Sequence, residues 1–102
     1  MKHQPRVTVV TVTYNALDAL SKTMRSVEAQ DYANIEYIIV DGASSDATPL
    51  MLAQYHGRLD RWVSEKDRGI YDAMNKGVKM STGEYVIFMN AGDTFRQRHR
   101  QP

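Results

Sequence analysis

Three short polar clusters in this sequence carry side chains of the kinds that bind ligands. The first is Thr13-Tyr14-Asn15, the second runs from Asp41 to Asp46, and the third holds Asn90 and Asp93. Hydroxyl, amide and carboxylate groups bind polar atoms of a ligand, and a tyrosine ring offers it a flat apolar face. Each cluster directly follows an apolar run, so one ligand could contact all three if those runs are neighbouring strands.

The residues themselves disfavour several other kinds of site. The first apolar run leads into Tyr14-Asn15-Ala16-Leu17 rather than into the Gly-x-Gly-x-x-Gly of dinucleotide-binding loops, and the sequence contains no Walker phosphate loop. His3, His56 and His99 are far apart, and the chain has no cysteine. An imidazole or thiolate metal site is therefore not expected.

The elements that must position the clusters are strands and helices in alternation. Val7 to Thr13 is a nearly continuous run of β-branched residues, which is typical of a strand buried on both faces in a parallel sheet. Asn15, with Asp18 following it, predicts the N-cap of a helix from about Ala16 to Gln30. The apolar residues of this helix recur at helical spacing, at Leu17, Leu20, Met24 and Val27.

The same alternation continues along the rest of the chain. Further strands are predicted at Ile35–Val40, Arg61–Ser64 and Glu84–Met89. A short helix is expected to begin at Thr48-Pro49 and to end at Gly57. Another helix contains Gly77, where a small residue indicates close packing, and has its apolar residues at Ile70, Met74 and Val78.

This alternation predicts an α/β fold, because parallel strands need crossover helices, and ligands then gather at the carboxyl ends of the strands. The chain has 102 residues, enough for one domain, which we assign to residues 1–95. Residues 96–102 include Arg96, Arg98 and Arg100 and have no apolar pattern, so we expect a disordered basic tail there.

Composition narrows the partners and the compartment. The 13 basic and 12 acidic residues leave a formal net charge of +1, so nucleic acid is not an expected partner and an anionic ligand must be held by local groups. No apolar stretch approaches membrane-spanning length, and the lack of cysteine is compatible with a reducing compartment. We expect a cytoplasmic protein that can also lie peripherally at the inner face of the membrane.

Three segments together resemble family 2 glycosyltransferases with the GT-A fold: Val9–Asn15, Val40–Thr48 and Gly83–Asp93. A fourth, Ser64–Gly77, is similar to a branch of that family, of the colanic-acid type, that assembles bacterial surface and capsular polysaccharides. The segments extend over nearly the whole chain. The resemblance implies a Rossmann-like, mostly parallel sheet with flanking helices, here truncated after the fourth strand.

The resemblance also implies a reaction. An acceptor hydroxyl, on a glycan or a lipid-linked molecule, would displace the nucleoside diphosphate of a UDP-sugar with inversion at the anomeric carbon. The hydroxyl needs a general base, and a divalent cation, Mg²⁺ or Mn²⁺, commonly neutralises the leaving diphosphate. In the family the general base and the acceptor loops follow the acidic motif. This chain stops nine residues after Asp93, so we expect the donor half without a catalytic base, inactive by itself.

Roles for individual residues follow from the same resemblance. Tyr14 is expected to lie against the nucleobase, Asp41 to accept a hydrogen bond from the base or ribose, and Asp93 to bind the metal. The other candidates for nucleotide-sugar binding are Thr13, Asn15, Asp67, Arg68 and Asn90. The residue types leave alternatives open: Tyr14 as a cover for the core edge, Asp41 as a turn residue bonded to its own backbone, and Asp93 as a cap.

Two departures from the family pattern bear on the diphosphate. Many relatives carry Asp-x-Asp-Asp where this chain has Asn90-Ala91-Gly92-Asp93, which removes two anionic ligands. Met74 stands where many relatives place an arginine that could meet phosphate. Arg68 or Lys76 is left for that role, and surface ion pairing is the alternative for both.

Two other functions remain open from the sequence. The loss of two acidic residues from the Asn90–Asp93 motif favours a fragment that binds a nucleotide or a partner without catalysis. A nucleotidyltransferase ranks last, because its glycine-rich basic phosphate loop near the N-terminus is missing. In either functional class we expect self-association through the uncovered edge of the fourth strand.

Overall fold

The computed structural model describes residues 4–95, so the predicted basic tail lies outside the described residues. Four strands alternate with three helices within this range. The strands are β1 (Val7–Thr13), β2 (Ile35–Asp41), β3 (Arg61–Ser64) and β4 (Tyr85–Asn90), and the helices are α1 (Leu17–Glu28), α2 (Thr48–Gln54) and α3 (Ile70–Met80).

All four strands form one parallel sheet in the order β3-β2-β1-β4. Each strand is joined to the next by a helix, because a parallel pair needs a crossover connection. The strand order leaves β1 and β2 in the centre and β3 and β4 at the edges. The predicted α/β architecture is confirmed.

Two apolar clusters lie against the sheet and explain why its central strands are β-branched. One contains Val9 and Ile39 with residues of α1 and α2, and the other contains Val10 and Ile38 with residues of α3. Alternate residues of β1 and β2 therefore point into different clusters, and both faces of these strands are buried.

Helix α3 lies close to the sheet because it presents glycine there. A Cβ atom at Gly77 would overlap the Val10 side chain of β1. The close packing predicted at this position is confirmed, and it offsets the poor helix propensity of glycine.

Two predicted helix boundaries are wrong. Asn15 makes no capping hydrogen bond, and the N-cap of α1 is Ala16. Helix α2 ends at Gln54, where Tyr55 turns to an extended conformation, so it ends before Gly57. Gly57 is placed by packing instead, because a Cβ there would overlap Glu28 and Tyr55.

Near the amino ends of the strands lies a buried carboxylate, that of Glu36, which is 1% exposed. Its hydrogen bonds join the segments that meet there. Its Oε1 accepts hydrogen bonds from Thr8 Oγ1 (2.7 Å) and from the Thr82 backbone N–H (2.7 Å). Its Oε2 accepts from Thr82 Oγ1 (3.0 Å) and lies 3.5 Å from the Arg6 guanidinium. Gly83 N–H donates to Thr8 Oγ1 (2.9 Å). We call these residues, Arg6, Thr8, Glu36, Thr82 and Gly83, the amino-edge clamp.

Candidate functional site

The strand register brings the three polar clusters to the opposite, carboxyl edge of the sheet. Thr13 of β1 is the register partner of Asp41 of β2, which in turn pairs with Ser64 of β3. On the other side of β1, Val12 pairs with Asn90 of β4. The predicted convergence of the clusters is therefore observed, and it includes a serine, Ser64, that had not been singled out.

Asp41 is fully buried, and its carboxylate organises the loop that follows β2. Its Oδ2 accepts from Ser44 N–H (3.0 Å) and from Ser64 Oγ (2.7 Å), and its Oδ1 accepts from Ser44 Oγ. Ser44 Oγ in turn accepts from the Asn15 N–H (2.8 Å), which ties the ends of β1 and β2 together. The alternative role of Asp41, as a residue bonded to its own loop, is thus present in the structure.

Asn15 also links the end of β1 to the loop after β2, and it does not cap helix α1. It lies at φ 48°, a left-handed conformation in which asparagine is enriched, and its Oδ1 accepts from the Ser45 N–H (2.7 Å). The start of α1 is bonded by Asp46 instead, whose Oδ2 accepts from the Leu17 N–H (3.3 Å). Hydrogen bonds from Thr48 and Leu17 hold the pKa of Asp46 below its ordinary value.

A cleft of about 410 Å³ opens between β1, β4 and the start of α3. We call it the inner cleft. Its polar lining includes the predicted residues Thr13, Tyr14, Asp67 and Asn90. Thr13 is 7% exposed, and its hydroxyl oxygen is buried with no hydrogen-bond partner among residues 4–95. A buried hydroxyl is costly to leave unpaired, so a ligand that bonds it would gain affinity.

A second cleft, of about 520 Å³, adjoins the first and shares Tyr14 and Asp67 with it. We call it the outer cleft; its other lining residues are Gly42, Ala43 and Lys66. Tyr14 is 63% exposed and borders both clefts. This position suits a ring that stacks on a planar ligand.

The two basic candidates for phosphate binding differ in how they are held. Lys76 Nζ lies 3.1 Å from Glu65 Oε2 and 3.8 Å from Asp72 Oδ2, and it donates to the Lys66 carbonyl at 2.8 Å. Arg68 donates its backbone N–H to Asp72 Oδ2 (2.9 Å), while its guanidinium forms no ion pair within the described part of the chain. Of the two predicted candidates, Arg68 is therefore the one whose side chain is available, and Lys66, which lines the outer cleft, is a further basic residue without an ion pair among residues 4–95.

Asp93, the candidate metal ligand, is partly used by its own turn. Its Oδ2 accepts from Asn90 N–H (2.8 Å), and its N–H donates to the Asn90 carbonyl (2.9 Å). Residues 4–95 contain no group of three or more His, Cys, Asp or Glu side chains that could hold a metal ion. One free carboxylate oxygen fits Mg²⁺ or Mn²⁺ only where phosphate oxygens and water complete the ligand set.

Gly42 and Ser64 were not singled out from the sequence as site residues, and Ser44 was predicted only as one of the polar groups after β2. Ser44 was visible as part of the loop after β2, but its bond to Asp41 depends on the fold of that loop. Ser64 follows no pattern that separates it from other strand-end serines. Gly42 leaves space for the Asp67 carboxylate, because a Cβ at position 42 would lie 2.8 Å from Asp67 Oδ2.

None of the helices in residues 4–95 has the length and apolar character needed to cross a membrane.

Comparison with known proteins identifies relatives of this arrangement. The sequence profile described as glycosyl transferase family 2 matches residues 8–100. Glycosyltransferase Rv1514c of Mycobacterium tuberculosis is 40% identical over 96 residues, which is 93% of this chain. TuaG of Bacillus subtilis, a glycosyltransferase assigned to teichuronic acid biosynthesis, is 35% identical over 98 residues, 92% of this chain. The chain spans 37% and 38% of the lengths of these two proteins.

Solved structures share the fold. The mannosyltransferase PcManGT from Pyrobaculum calidifontis, in complex with GDP-Man and Mn²⁺, superposes with a TM-score of 0.82 at 33% identity, over 91% of this chain and 29% of its own. The S. aureus TarS 1–349 complex with UDP superposes with a TM-score of 0.75 at 26% identity, over 87% of this chain and 28% of its own. Both are much longer than this chain, and the shared part is the sheet with its flanking helices.

Proposed function

Because the chain belongs to glycosyl transferase family 2, we propose that its carboxyl sheet edge is the donor-binding half of an inverting glycosyltransferase. The donor would be a nucleoside diphosphate sugar, with a UDP-sugar as the first choice. The observation that carries the proposal is the convergence of Thr13, Tyr14, Asp67 and Asn90 on two adjoining clefts. One nucleotide can contact the residues of both clefts because Tyr14 and Asp67 border each of them.

We assign the base and ribose to the outer cleft and the diphosphate to the inner one. Tyr14 stacks on the nucleobase with its exposed ring. Thr13 and Asn90 line the inner cleft, and we assign both to the diphosphate. Arg68, whose guanidinium is unpaired in the described chain, supplies positive charge to the phosphates. Asn15 and Asp41 hold the loops at this edge; we keep Asn15 as a nucleotide-contact candidate, whereas Asp41, with both carboxylate oxygens bonded, positions the loop that follows β2.

A divalent cation, when bound with the donor, neutralises charge on the diphosphate as it leaves. In this chain Asp93 would hold it through the carboxylate oxygen that its turn does not use, with Asn90 beside it. A single carboxylate binds such a cation weakly, so we expect the cation to bind only together with the diphosphate. PcManGT was solved with Mn²⁺ and GDP-Man together, which supports this assignment.

We place the general base and the acceptor-binding groups outside residues 4–95. The relatives are much longer than this chain, which leaves room for both. The acceptor class we propose is a growing surface polysaccharide or a lipid-linked precursor, supported by the assignment of TuaG to teichuronic acid biosynthesis. Such an enzyme would work in the cytoplasm, at the inner face of the membrane, and the 102-residue chain would have no transferase activity by itself.

Self-association through β4 is part of the proposal. This strand lies at the edge of the sheet, and Tyr85, Ile87 and Phe88 are 62%, 40% and 39% exposed. An unpaired apolar edge strand recruits a partner strand. Size-exclusion chromatography of the purified chain should show a species larger than a monomer, and monomeric elution at every concentration would contradict this part.

The donor site is tested by titrating UDP into the chain by calorimetry, with and without Mn²⁺. We expect binding that Mn²⁺ strengthens, and a loss of the Mn²⁺ effect in Asp93→Ala. Asp31→Ala is the matched control, because Asp31 precedes β2 at the opposite edge of the sheet. If a chain with native circular dichroism binds no UDP under either condition, the donor-site proposal is wrong.

A non-catalytic fragment that binds a nucleotide or a partner protein is the second candidate. One observation favours it: Asp93 already uses one carboxylate oxygen within its own turn. UDP binding that is indifferent to Mn²⁺ and to Asp93→Ala would select this candidate over the enzyme.

A further inference from the structure

Position 42 and position 67 are coupled in space although they are far apart in sequence. Gly42 follows β2 directly, whereas Asp67 lies between β3 and α3. A Cβ atom at position 42 would lie 2.8 Å from Asp67 Oδ2 and 3.5 Å from Tyr14 Cδ1. The Asp67 carboxylate therefore occupies the space that a side chain at position 42 would need, next to the Tyr14 ring.

The two oxygens of Asp67 are in different situations. Oδ1 accepts a hydrogen bond from the Gly69 N–H (3.1 Å), which fixes the carboxylate at the rim of the cleft. Oδ2 has no hydrogen bond within residues 4–95, although the side chain is half-buried. A held carboxylate with one unsatisfied oxygen is an acceptor ready for a donor group on a ligand.

The neighbouring acids are not available in this way. Asp41 is 0% exposed and accepts from Ser44 and Ser64, so its carboxylate faces its own loop. Asp46 accepts from Leu17 and Thr48. Among the carboxylates of the loops after β2 and β3 that touch the clefts, Asp67 is the one that lines both.

We propose that Asp67 is the residue that selects the nucleobase, by accepting a hydrogen bond from a ring N–H beside the Tyr14 ring. This inference rests on the proposed donor site. Uracil and guanine carry a hydrogen on the ring nitrogen of their pairing edge, whereas cytosine and adenine present a lone pair there. A carboxylate oxygen that faces this ring nitrogen accepts the N–H of the first pair and is repelled by the lone pair of the second, which can donate only from the neighbouring exocyclic amine, so the site favours donors built on UDP or GDP.

Gly42 contributes to the same base selection because it leaves room for the Asp67 carboxylate. Its backbone is not in the left-handed region, so alanine is compatible with its conformation. The atom that an added methyl would meet is the far end of a flexible side chain. Gly42→Ala should therefore move the Asp67 carboxylate while leaving the fold intact, and it changes no polar group.

The test compares dissociation constants of UDP, GDP, CDP and ADP, measured by calorimetry on the full 102-residue chain. These ligands carry the same diphosphate, so differences among them report the base. We expect the tighter of UDP and GDP to bind at least about tenfold better than CDP and ADP, the discrimination that one hydrogen bond to a charged group provides. The losses of preference below are measured against this ratio.

Three variants separate the base-reading role from other effects. Asp67→Asn keeps the side-chain volume but presents either an acceptor or a donor, so the preference for UDP or GDP over CDP should fall to less than about threefold. Gly42→Ala should reduce the preference in the same way although Asp67 remains. Asp31→Asn makes the same charge change at the opposite edge of the sheet and should leave the preference unaltered. Circular dichroism confirms that each variant is folded.

The outcomes distinguish this inference from the donor site itself. If the unmodified chain binds all four nucleotides equally, or if Asp67→Asn keeps the full preference, Asp67 does not select the base and the donor site still stands. If the folded chain binds none of the four, the donor-site proposal fails and the base-selection inference fails with it.

Discussion

The two ends of β2 each bury a carboxylate, and they use it differently. Glu36, near the amino end, is 1% exposed and bonds Thr8 and Thr82. Asp41, at the carboxyl end, is 0% exposed and bonds Ser44 and Ser64. Glu36 accepts from two segments distant in sequence, whereas Asp41 accepts from Ser44 of its own loop and from the distant Ser64. At the amino edge these bonds join neighbouring segments to one another. At the carboxyl edge they fix the conformation of the loops that border the two clefts.

The difference lies in what remains unsatisfied nearby. In the amino-edge clamp Thr8 Oγ1 both donates to Glu36 and accepts from Gly83. At the carboxyl edge Thr13 Oγ1 is buried without a partner in the described chain, and Asp67 Oδ2 has no hydrogen bond there. Unpaired buried polar groups lower stability and raise the affinity for a ligand that pairs them. Stability is thus concentrated at one edge and binding capacity at the other.

The largest effect is expected from Glu36→Ala, which tests whether the amino edge provides stability and the carboxyl edge provides binding. Removing the carboxylate leaves the buried donors of Thr8 and Thr82 unpaired, and we expect the free energy of unfolding to fall by about 3 kcal/mol. Urea unfolding measures the loss. UDP affinity under conditions where the variant is still folded should match that of the unmodified chain, and a tenfold weaker affinity would contradict the division.

A smaller effect is expected from a matched pair of substitutions in β1. Thr8→Val removes a hydroxyl that makes two hydrogen bonds and should cost about 2 kcal/mol of stability without changing nucleotide affinity. Thr13→Val removes an unpaired hydroxyl and should leave stability unchanged or slightly higher, while UDP binds several-fold more weakly. If the two variants have the same profile in urea unfolding and UDP titration, the edges are not specialised.

The smallest expected loss of stability comes from protonation of Glu36 rather than from a substitution. Burial alone would raise the pKa of Glu36, but hydrogen bonds from Thr82 and Thr8 and the charge of Arg6 together hold that pKa below its ordinary value of 4.5. A depressed pKa stabilises the fold above pH 4.5, and this contribution is lost as the pH falls through the folded-state pKa. The loss should be smaller than in Glu36→Ala because the protonated side chain stays in place.

The measurement is the free energy of unfolding in urea between neutral pH and the acid range. The unmodified chain should lose more stability on acidification than Glu36→Gln, whose side chain does not titrate. Equal slopes for the two chains would show that Glu36 does not contribute through its charge.

Much of the fold could be predicted because its signals are local. The β-branched run of β1 and the Arg61–Ser64 strand have the predicted bounds, β2 extends one residue further than predicted, and β4 begins and ends one residue later than predicted. The convergence of strand ends followed from parallel topology alone. The N-cap of α1 could not be predicted in the same way, because Asp46 reaches Leu17 from a loop 29 residues away.

The sequence by itself determined the alternation of strands and helices, the edge at which polar residues collect, and the residue types that a nucleotide sugar would meet. These properties depend on periodicity and on the order of elements, both of which are local. The tertiary structure decided which carboxylate oxygens form hydrogen bonds within the protein and which remain unpaired. Asp41 has both carboxylate oxygens bonded, whereas Asp67 and Asp93 each bond one oxygen within their own loops and have the other unpaired among residues 4–95. Most of these bonds are local, but Ser64 reaches Asp41 and Asp67 lies over Gly42 from distant parts of the sequence, and these contacts form only when the sheet assembles.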